Sequence, residues 1–205
     1  MSIYDGLALN YDLGMLPLES FILKPLRRRL FPFLTGQILE LGVGTGVNLP
    51  LYSQNAHVAA IDASLDMISI AKRRHSEAAV AWSQADAANL PFADGSFDNA
   101  VGSLVFCSIV DVQGALYELQ RVLRPAGWLV LLEHVRGERG LRRRLTDLLA
   151  GPWLRISKSC HLNRDTAQAV ADAGFEVVCA SRHAFGFFQL ILARAPVDGP
   201  AVPNG

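Results

Sequence analysis

Gln37-Ile38-Leu39-Glu40-Leu41-Gly42-Val43-Gly44-Thr45-Gly46 reads as a buried strand that runs directly into a glycine-rich turn. Apolar residues interrupted by one carboxylate suit a parallel strand covered on both faces, and glycine at every second position suits a strand that ends beneath a nucleotide-like ligand. Side chains at those glycines are expected to collide with the ligand. Glycine also allows the positive φ of a sharp strand-to-helix turn, and the following backbone N–H groups stay free to hold ligand oxygens. A dinucleotide fingerprint would put its third glycine at position 47, where Val47 stands; here it falls at Gly46, giving E-x-G-x-G-x-G. Taken alone, the stretch is equally well explained as a tight turn, so the downstream segments carry the decision.

His57-Val58-Ala59-Ala60-Ile61-Asp62 is the next expected strand, and its terminal carboxylate stands about twenty residues past the loop, where an acidic side chain can take both hydroxyls of a ribose. Capping of the helix expected at Leu65 to Arg74 is the competing role, but Ser64 fills it more naturally. Val80 to Ala85 forms a third strand, after which Asp86 and the backbone of Ala87 can meet an adenine ring. Phe97 to Leu104 is the fourth strand, Val112 to Leu123 a helix, and Trp128 to His134 the fifth strand after the Arg124-Pro125-Ala126-Gly127 turn. The helix expected from Asn48 to Tyr52 would make the first crossover. A helix opened by Cys160 to Thr166, running to Ala173 and capped by Gly174, leads to a final hairpin, Phe175 to Ser181 and Gly186 to Ala193. The predicted class is α/β, a Rossmann-like seven-stranded, mostly parallel sheet with an antiparallel last strand and helices on both faces.

Glu40/Gly42/Gly44/Gly46, Asp62, the string Asp86-Ala87-Ala88-Asn89-Leu90-Pro91-Phe92 and Leu123-Arg124-Pro125 together resemble class I S-adenosylmethionine-dependent methyltransferases, from about Tyr4 to Ala193. That resemblance implies S-adenosyl-L-methionine as cofactor, held by Tyr11, Glu40, Gly42, Gly44, Gly46, Asp62, Ala63, Met67, Asp86, Ala87 and Ser103, with Met67 against the adenine face. The strings at Leu104 to Asp111, Glu133 to Val135 and Cys160 to Thr166 are similar to the small-molecule branch. That branch holds ubiquinone/menaquinone-type methyltransferases, bacterial phospholipid N-methyltransferases and thiol S-methyltransferases. Ala126 departs from the family's usual L-R-P-G-G; alanine costs little if its φ stays negative, so a local adjustment is expected.

A length of 205 residues suits one domain, and 19 basic against 19 acidic side chains leave no global field to recruit nucleic acid. Cys107, Cys160 and Cys179 form no C-x-x-C pair, and no basic-then-apolar leader opens the sequence, which suits a reducing cytoplasm. The expected organisation is a methyltransferase domain over 1–194 with a disordered tail over 195–205. Within the domain, 1–35 is expected as an N-terminal arm and helix over the site, with Tyr4 to Asp12 as a lid, and 137–165 as a helical insertion. Leu18 to Leu34 is an expected amphipathic helix with a kink or restart at Pro25. Leu-Arg-Arg-Arg-Leu occurs at Leu26 to Leu30 and again at Leu141 to Leu145, within a second basic helix expected at Gly140 to Ile156. These faces suit either peripheral contact with an anionic membrane or a solvated side whose apolar half packs on the sheet.

Methyl transfer from a sulfonium is an in-line displacement in which positive charge is lost, so alignment in an apolar enclosure supplies much of the rate and no metal is required. A base is needed only where the acceptor's proton must leave; His134 and His161 are the two candidates for it. Cys107 and Cys160 are expected as small buried hydrophobes. Three functions fit: a methyltransferase for a small apolar thiol, amine or phenol; a membrane-surface phospholipid or quinone methyltransferase; and a cofactor-binding interaction module without catalysis.

Overall fold

The computed structural model describes residues 18–137, 140–157 and 160–197. The expected lid with Tyr11, and positions 198–205 of the expected tail, lie outside them. Strand β1 (Gly36–Leu41) is buried from Ile38 onward, and its side chains alternate between two cores. Ile38 joins Val58, Val101 and Val130 on one face, while Leu39 and Leu41 join Ile61, Ala100, Leu129 and Leu131 on the other. Both faces of the strand are apolar because both are covered.

β1 pairs in parallel with β2 (Ala56–Asp62) and with β4 (Phe97–Ser103); β2 continues to β3 (Ala79–Gln84), and β4 to β5 (Leu123–His134). β7 (Phe188–Arg194) runs antiparallel between β5 and β6 (Glu176–His183), giving the order β3-β2-β1-β4-β5-β7-β6. This is the expected seven-stranded sheet. Its chain order reverses between β1 and β4, and ligands of open α/β sheets bind in the crevice beyond the carboxyl ends of the strands at such a point.

Residues 19–33 form one continuous helical stretch of three kinds: a π turn at Glu19–Leu23, α1 (Lys24–Leu30) and a 3₁₀ turn at Phe31–Phe33. Pro25 has no N–H to donate backwards, and the wider π turn immediately before it absorbs the missing bond. Phe31 packs in the Ile38 core with Ile68 and Ala71 of α2 (Leu65–Ala71), while Leu116, Leu119 and Val122 of α3 (Val112–Val122) and Val170 of α5 (Thr166–Asp172) fill the opposite core. The remaining helix, α4 (Gly140–Ser157), carries Pro152.

Four local expectations are corrected. The first crossover is a single 3₁₀ turn, Leu49–Leu51, built around Pro50, and Tyr52 is already extended; α2 ends at Ala71 rather than Arg74. Ala195 was placed in the tail, yet it is buried, and its N–H donates to the Gly127 carbonyl at 2.9 Å. Ala126 has φ +58°, the left-handed region, so the alanine is strained where negative φ was expected. Its neighbour cannot take the strain, because a Cβ at Gly127 would lie 2.9 Å from the Arg124 carbonyl oxygen and 3.1 Å from that of Asp98. Left-handed alanine costs about 1–2 kcal/mol and added glycine freedom returns about half of that. Ala126→Gly is therefore expected to stabilise the fold by about 0.5–1 kcal/mol, read as a raised urea midpoint; an unchanged or lowered midpoint would contradict the left-handed turn.

Candidate active site

The glycines after β1 all have positive φ, +64° at Gly42, +53° at Gly44 and +78° at Gly46, but only one of them opens onto space. A Cβ at Gly42 would fall on the Val105 side chain of the loop after β4, and one at Gly46 would meet Leu49 at 2.8 Å and Ala71 at 3.0 Å. At Gly44 the nearest atom would be the Gly42 carbonyl oxygen at 4.0 Å. Gly42 and Gly46 are thus required by the packing of the protein itself, whereas Gly44 opens onto space. Asp62 fixes this loop from the end of β2. One carboxylate oxygen accepts from the Gly44 N–H at 2.9 Å and the other from the Ser64 N–H at 2.9 Å. Ser64, not Asp62, caps α2, accepting from the Met67 N–H at 3.3 Å.

Glu40 lies directly before the loop, fully buried; its Oε1 accepts from the Asn48 amide at 2.8 Å, and the buried Tyr52 hydroxyl also lies against the carboxylate. Burial pushes its pKa up to about 7, against the pull of the Asn48 amide. A buried carboxylate beneath an open glycine loop fits a ligand carrying an ammonium group. Ala63 is exposed, its carbonyl accepting from the Gln84 side chain at 2.9 Å, while Met67 is buried within the protein. Asp86 is exposed with its carboxylate on the Ala88 N–H at 3.0 Å, and Ala87 packs partly into the core. The loop after it is held by Arg121, which reaches Glu118, Asp94 and the carbonyls of Leu90 and Phe92.

Ser103 ends β4, and its hydroxyl accepts from Arg27 Nε at 3.1 Å. Arg27 is itself buried and paired with Glu19. This corrects the reading of the first arginine string, Arg27 to Arg29, as wholly solvated or lipid-facing. The signal was present in the spacing, since Leu23, Leu26 and Arg27 fall at i, i+3 and i+4 on the inner stripe of the helix. Sequence reasoning also assigned no role to Glu133. Placed fully buried on β5, it accepts the N–H groups of Val105 at 3.0 Å and Phe106 at 3.1 Å, and its second oxygen has no partner in the protein. Burial raises it to about 7 despite those amides. Glu133 thereby shapes the loop that follows β4.

The two histidines are held by different elements. His134 ends β5 with its ring edge-on to Phe188, centroids 5.7 Å apart, and its Nδ1 is buried without a partner. His161 is tied through its backbone N–H to the Cys107 carbonyl at 2.8 Å. Burial lowers the pKa of both, and for His161 the Arg164 charge adds to it. Neutral imidazole is the form that accepts a proton. Cys107 and Cys160, expected as inert hydrophobes, lie close enough for each thiol to shift the other's pKa.

A family model described as a methyltransferase domain matches residues 39–131. Over 151 residues the chain is 36% identical to the thiol S-methyltransferase TMT1B of Mus musculus, covering 69% of this chain and 60% of that protein. It is 32% identical over 149 residues to a phosphatidylethanolamine N-methyltransferase of Cereibacter sphaeroides, covering 70% of this chain and 71% of that one. The chain thus spans about 60% of the length of the thiol S-methyltransferase. Among solved structures, a Thermotoga maritima protein described as a S-adenosylmethionine-dependent methyltransferase, possible histamine N-methyltransferase, superposes with TM-score 0.73 at 22% identity, covering 94% of this chain and 98% of that one. At that identity the likeness is one of fold.

Proposed function

The chain belongs to the S-adenosylmethionine-dependent methyltransferase family, and from that premise we propose that it moves the cofactor's methyl group to a small apolar acceptor, a thiol, amine or phenol, beyond the carboxyl end of β4. The observation that carries this reading is the open space at Gly44, whose N–H is held by Asp62, next to the buried Glu40 carboxylate. When bound, the cofactor supplies a methyl group on a sulfonium whose charge disappears on transfer. Asp62 takes the ribose hydroxyls, Glu40 the ammonium, Asp86 with Ala87 the adenine, and Gly44 lets the ligand approach the backbone. The loop held by Glu133 lines the acceptor side, and a neutral His134 or His161 receives the acceptor's proton. A thiol acceptor is supported by the thiol S-methyltransferase relative. Radiolabelled cofactor incubated with a thiol, amine and phenol panel tests the reading. Label in none of the products, with cofactor binding intact, would favour the interaction module.

Glu40 makes binding depend on pH. Its carboxyl titrates near 7 in the folded protein and at 4.5 ordinarily, so its contribution to stability is full below 4.5 and is lost as pH rises through about 7. A bound ammonium favours the carboxylate and reverses this. Cofactor binding at pH 6 is therefore expected to release nearly one proton, and about 0.2 at pH 7.5, read calorimetrically in buffers of different ionisation enthalpy. Glu40→Gln should remove the release; a proton count that persists in that variant would place the ammonium elsewhere.

A specific observation favours a second reading, a phospholipid acceptor met at a membrane surface. The apolar side of α4 does not pack on the sheet, since Leu141 is 80% and Leu148 74% exposed, and Phe21 and Phe33 are 83% and 80% exposed near α1. Arg28, Arg29, Arg142, Arg143 and Arg144 are exposed beside them. Among the described residues no helix is long and apolar enough to cross a membrane, so the contact would be peripheral. Near an anionic surface each arginine contributes about 1 kcal/mol. Phosphatidylglycerol vesicles should float the protein at low salt, with binding lost at high salt and in a variant carrying glutamine at those five positions. Protein that stays unbound at low salt would leave the diffusing acceptor as the sole reading.

A further inference from the structure

We propose that Cys107 and Cys160 are a modification site, joined into a disulfide by a two-electron oxidant of the peroxide class, which pins the 160–164 segment across the loop after β4. The two thiols come from segments far apart in sequence, and each lies close enough to shift the other's pKa, Cys107 upward and Cys160 downward. Their backbones run side by side here: the His161 N–H donates to the Cys107 carbonyl at 2.8 Å. That bond joins the peptide groups adjoining the Cα atoms of Cys107 and Cys160, and a disulfide needs those two atoms about 4.4–6.8 Å apart. Arg164 adds bonds to the carbonyls of Phe106 and Ile109, the latter at 2.6 Å. All of these contacts are non-covalent, so a disulfide would add a covalent tie between the segment and the loop.

The chemistry has a defined direction. Cys160 is half-exposed and its thiol is lowered to about 7, first by the Cys107 thiol and then by the Trp153 side chain and the Arg164 charge, whereas Cys107 is buried and raised. Cys160 is thus the thiolate that meets the oxidant, and Cys107 the resolving thiol. Peroxide oxidises the Cys160 thiol to a sulfenic acid and leaves as water. The Cys107 sulfur then attacks that sulfenic sulfur, the S–S bond forms, and the hydroxyl departs with the Cys107 proton as a second water. In sum the dithiol loses two protons and two electrons, and the peroxide becomes two waters. Cys179 lies exposed on β6 and takes no part.

The consequence for transfer rests on the proposed acceptor site: a covalent tie between the loop after β4 and the 160–164 segment stops the two from separating to admit an acceptor. The full chain, treated with hydrogen peroxide, denatured with an alkylating reagent and mapped by mass spectrometry, should give one Cys107–Cys160 peptide pair lighter by two hydrogens and restored by dithiothreitol. Cys179 should remain alkylated. Cys160→Ser should abolish the pair, and Cys107→Ser should leave a Cys160 sulfenic acid that dimedone traps. Wild-type protein in which both thiols stay alkylatable, or in which Cys160 is overoxidised beside a free Cys107, overturns the site.

Methyl transfer is then compared as the ratio of oxidised to reduced rate within each protein, with a non-thiol acceptor because a thiol would itself reduce the bond by exchange. A tenfold or greater loss is expected in wild type and none in Cys160→Ser. Cross-linked protein that transfers at the reduced rate overturns the gating role. Mapping needs no acceptor, so absence of transfer under dithiothreitol counts against the proposed function and leaves the oxidation site to be judged by its peptides.

Discussion

Gly44→Val is expected to bind S-adenosylmethionine at least about a hundredfold more weakly than wild type while still folding. The loss has two sources. A β-branched side chain at φ +53° is strained by more than the 1–2 kcal/mol that alanine suffers, and its methyl groups fill the space that the open loop leaves for the ligand. Folding survives because nothing within 4.0 Å opposes the new Cβ except the Gly42 carbonyl. Gly42→Ala and Gly46→Ala make the contrast, since both run into Val105 or Leu49 and Ala71 and should lose stability as well as binding. Asp62→Ala should weaken the cofactor by roughly 1.5–3 kcal/mol, the scale of hydrogen bonds to a charged group. Part of that loss belongs to the loop, which gives up the bond from the Gly44 N–H. Calorimetry with unchanged affinity in Gly44→Val would remove the glycine loop from the cofactor site.

The second large effect concerns the proton. If the acceptor is a thiol or phenol, alanine at the histidine that receives its proton should lower kcat by about 10²–10⁴ with cofactor affinity intact. His134 is the stronger candidate, because its Nδ1 is buried without a partner and burial keeps the ring neutral. Its folded pKa lies below the ordinary 6.5, so the wild-type rate should hold through neutral pH and fall only as pH drops below that value. Losses under threefold in both His134→Ala and His161→Ala, with an unchanged pH profile, would leave alignment alone as the mechanism.

What the sequence made legible were features written locally. Strand β1, its glycine turn, Asp62 at the end of β2 and Ser64 as a cap are each signalled by neighbours within a few residues, through alternation and turn chemistry. Features that arise between distant segments were illegible. Nothing near Glu133 says that its carboxylate takes the amides of Val105 and Phe106, and nothing near Cys160 points to Cys107. Arg27 lies between these cases: its place on the inner stripe could be read, but three arginines in a row outweighed it. At Ala126 the family's glycine was the clue, and the departure was wrongly taken as free of strain. The short crossover was misjudged because Pro50 suits the first turn of a helix as well as a 3₁₀ turn.

The sheet's outer edge also fixes a timetable. β7 follows β6 in the chain yet lies between β5 and β6, so β6 cannot join the sheet until β7 has been made and paired with β5. While the ribosome is still adding residues 188–194, β5 presents an unpaired edge, and the hairpin partner has nowhere to settle. At about 5–20 residues per second that interval is short but unavoidable. Any pause in translation before β7 would prolong the exposure of an apolar β5 edge, which is the kind of surface chaperones hold and other strands pair with.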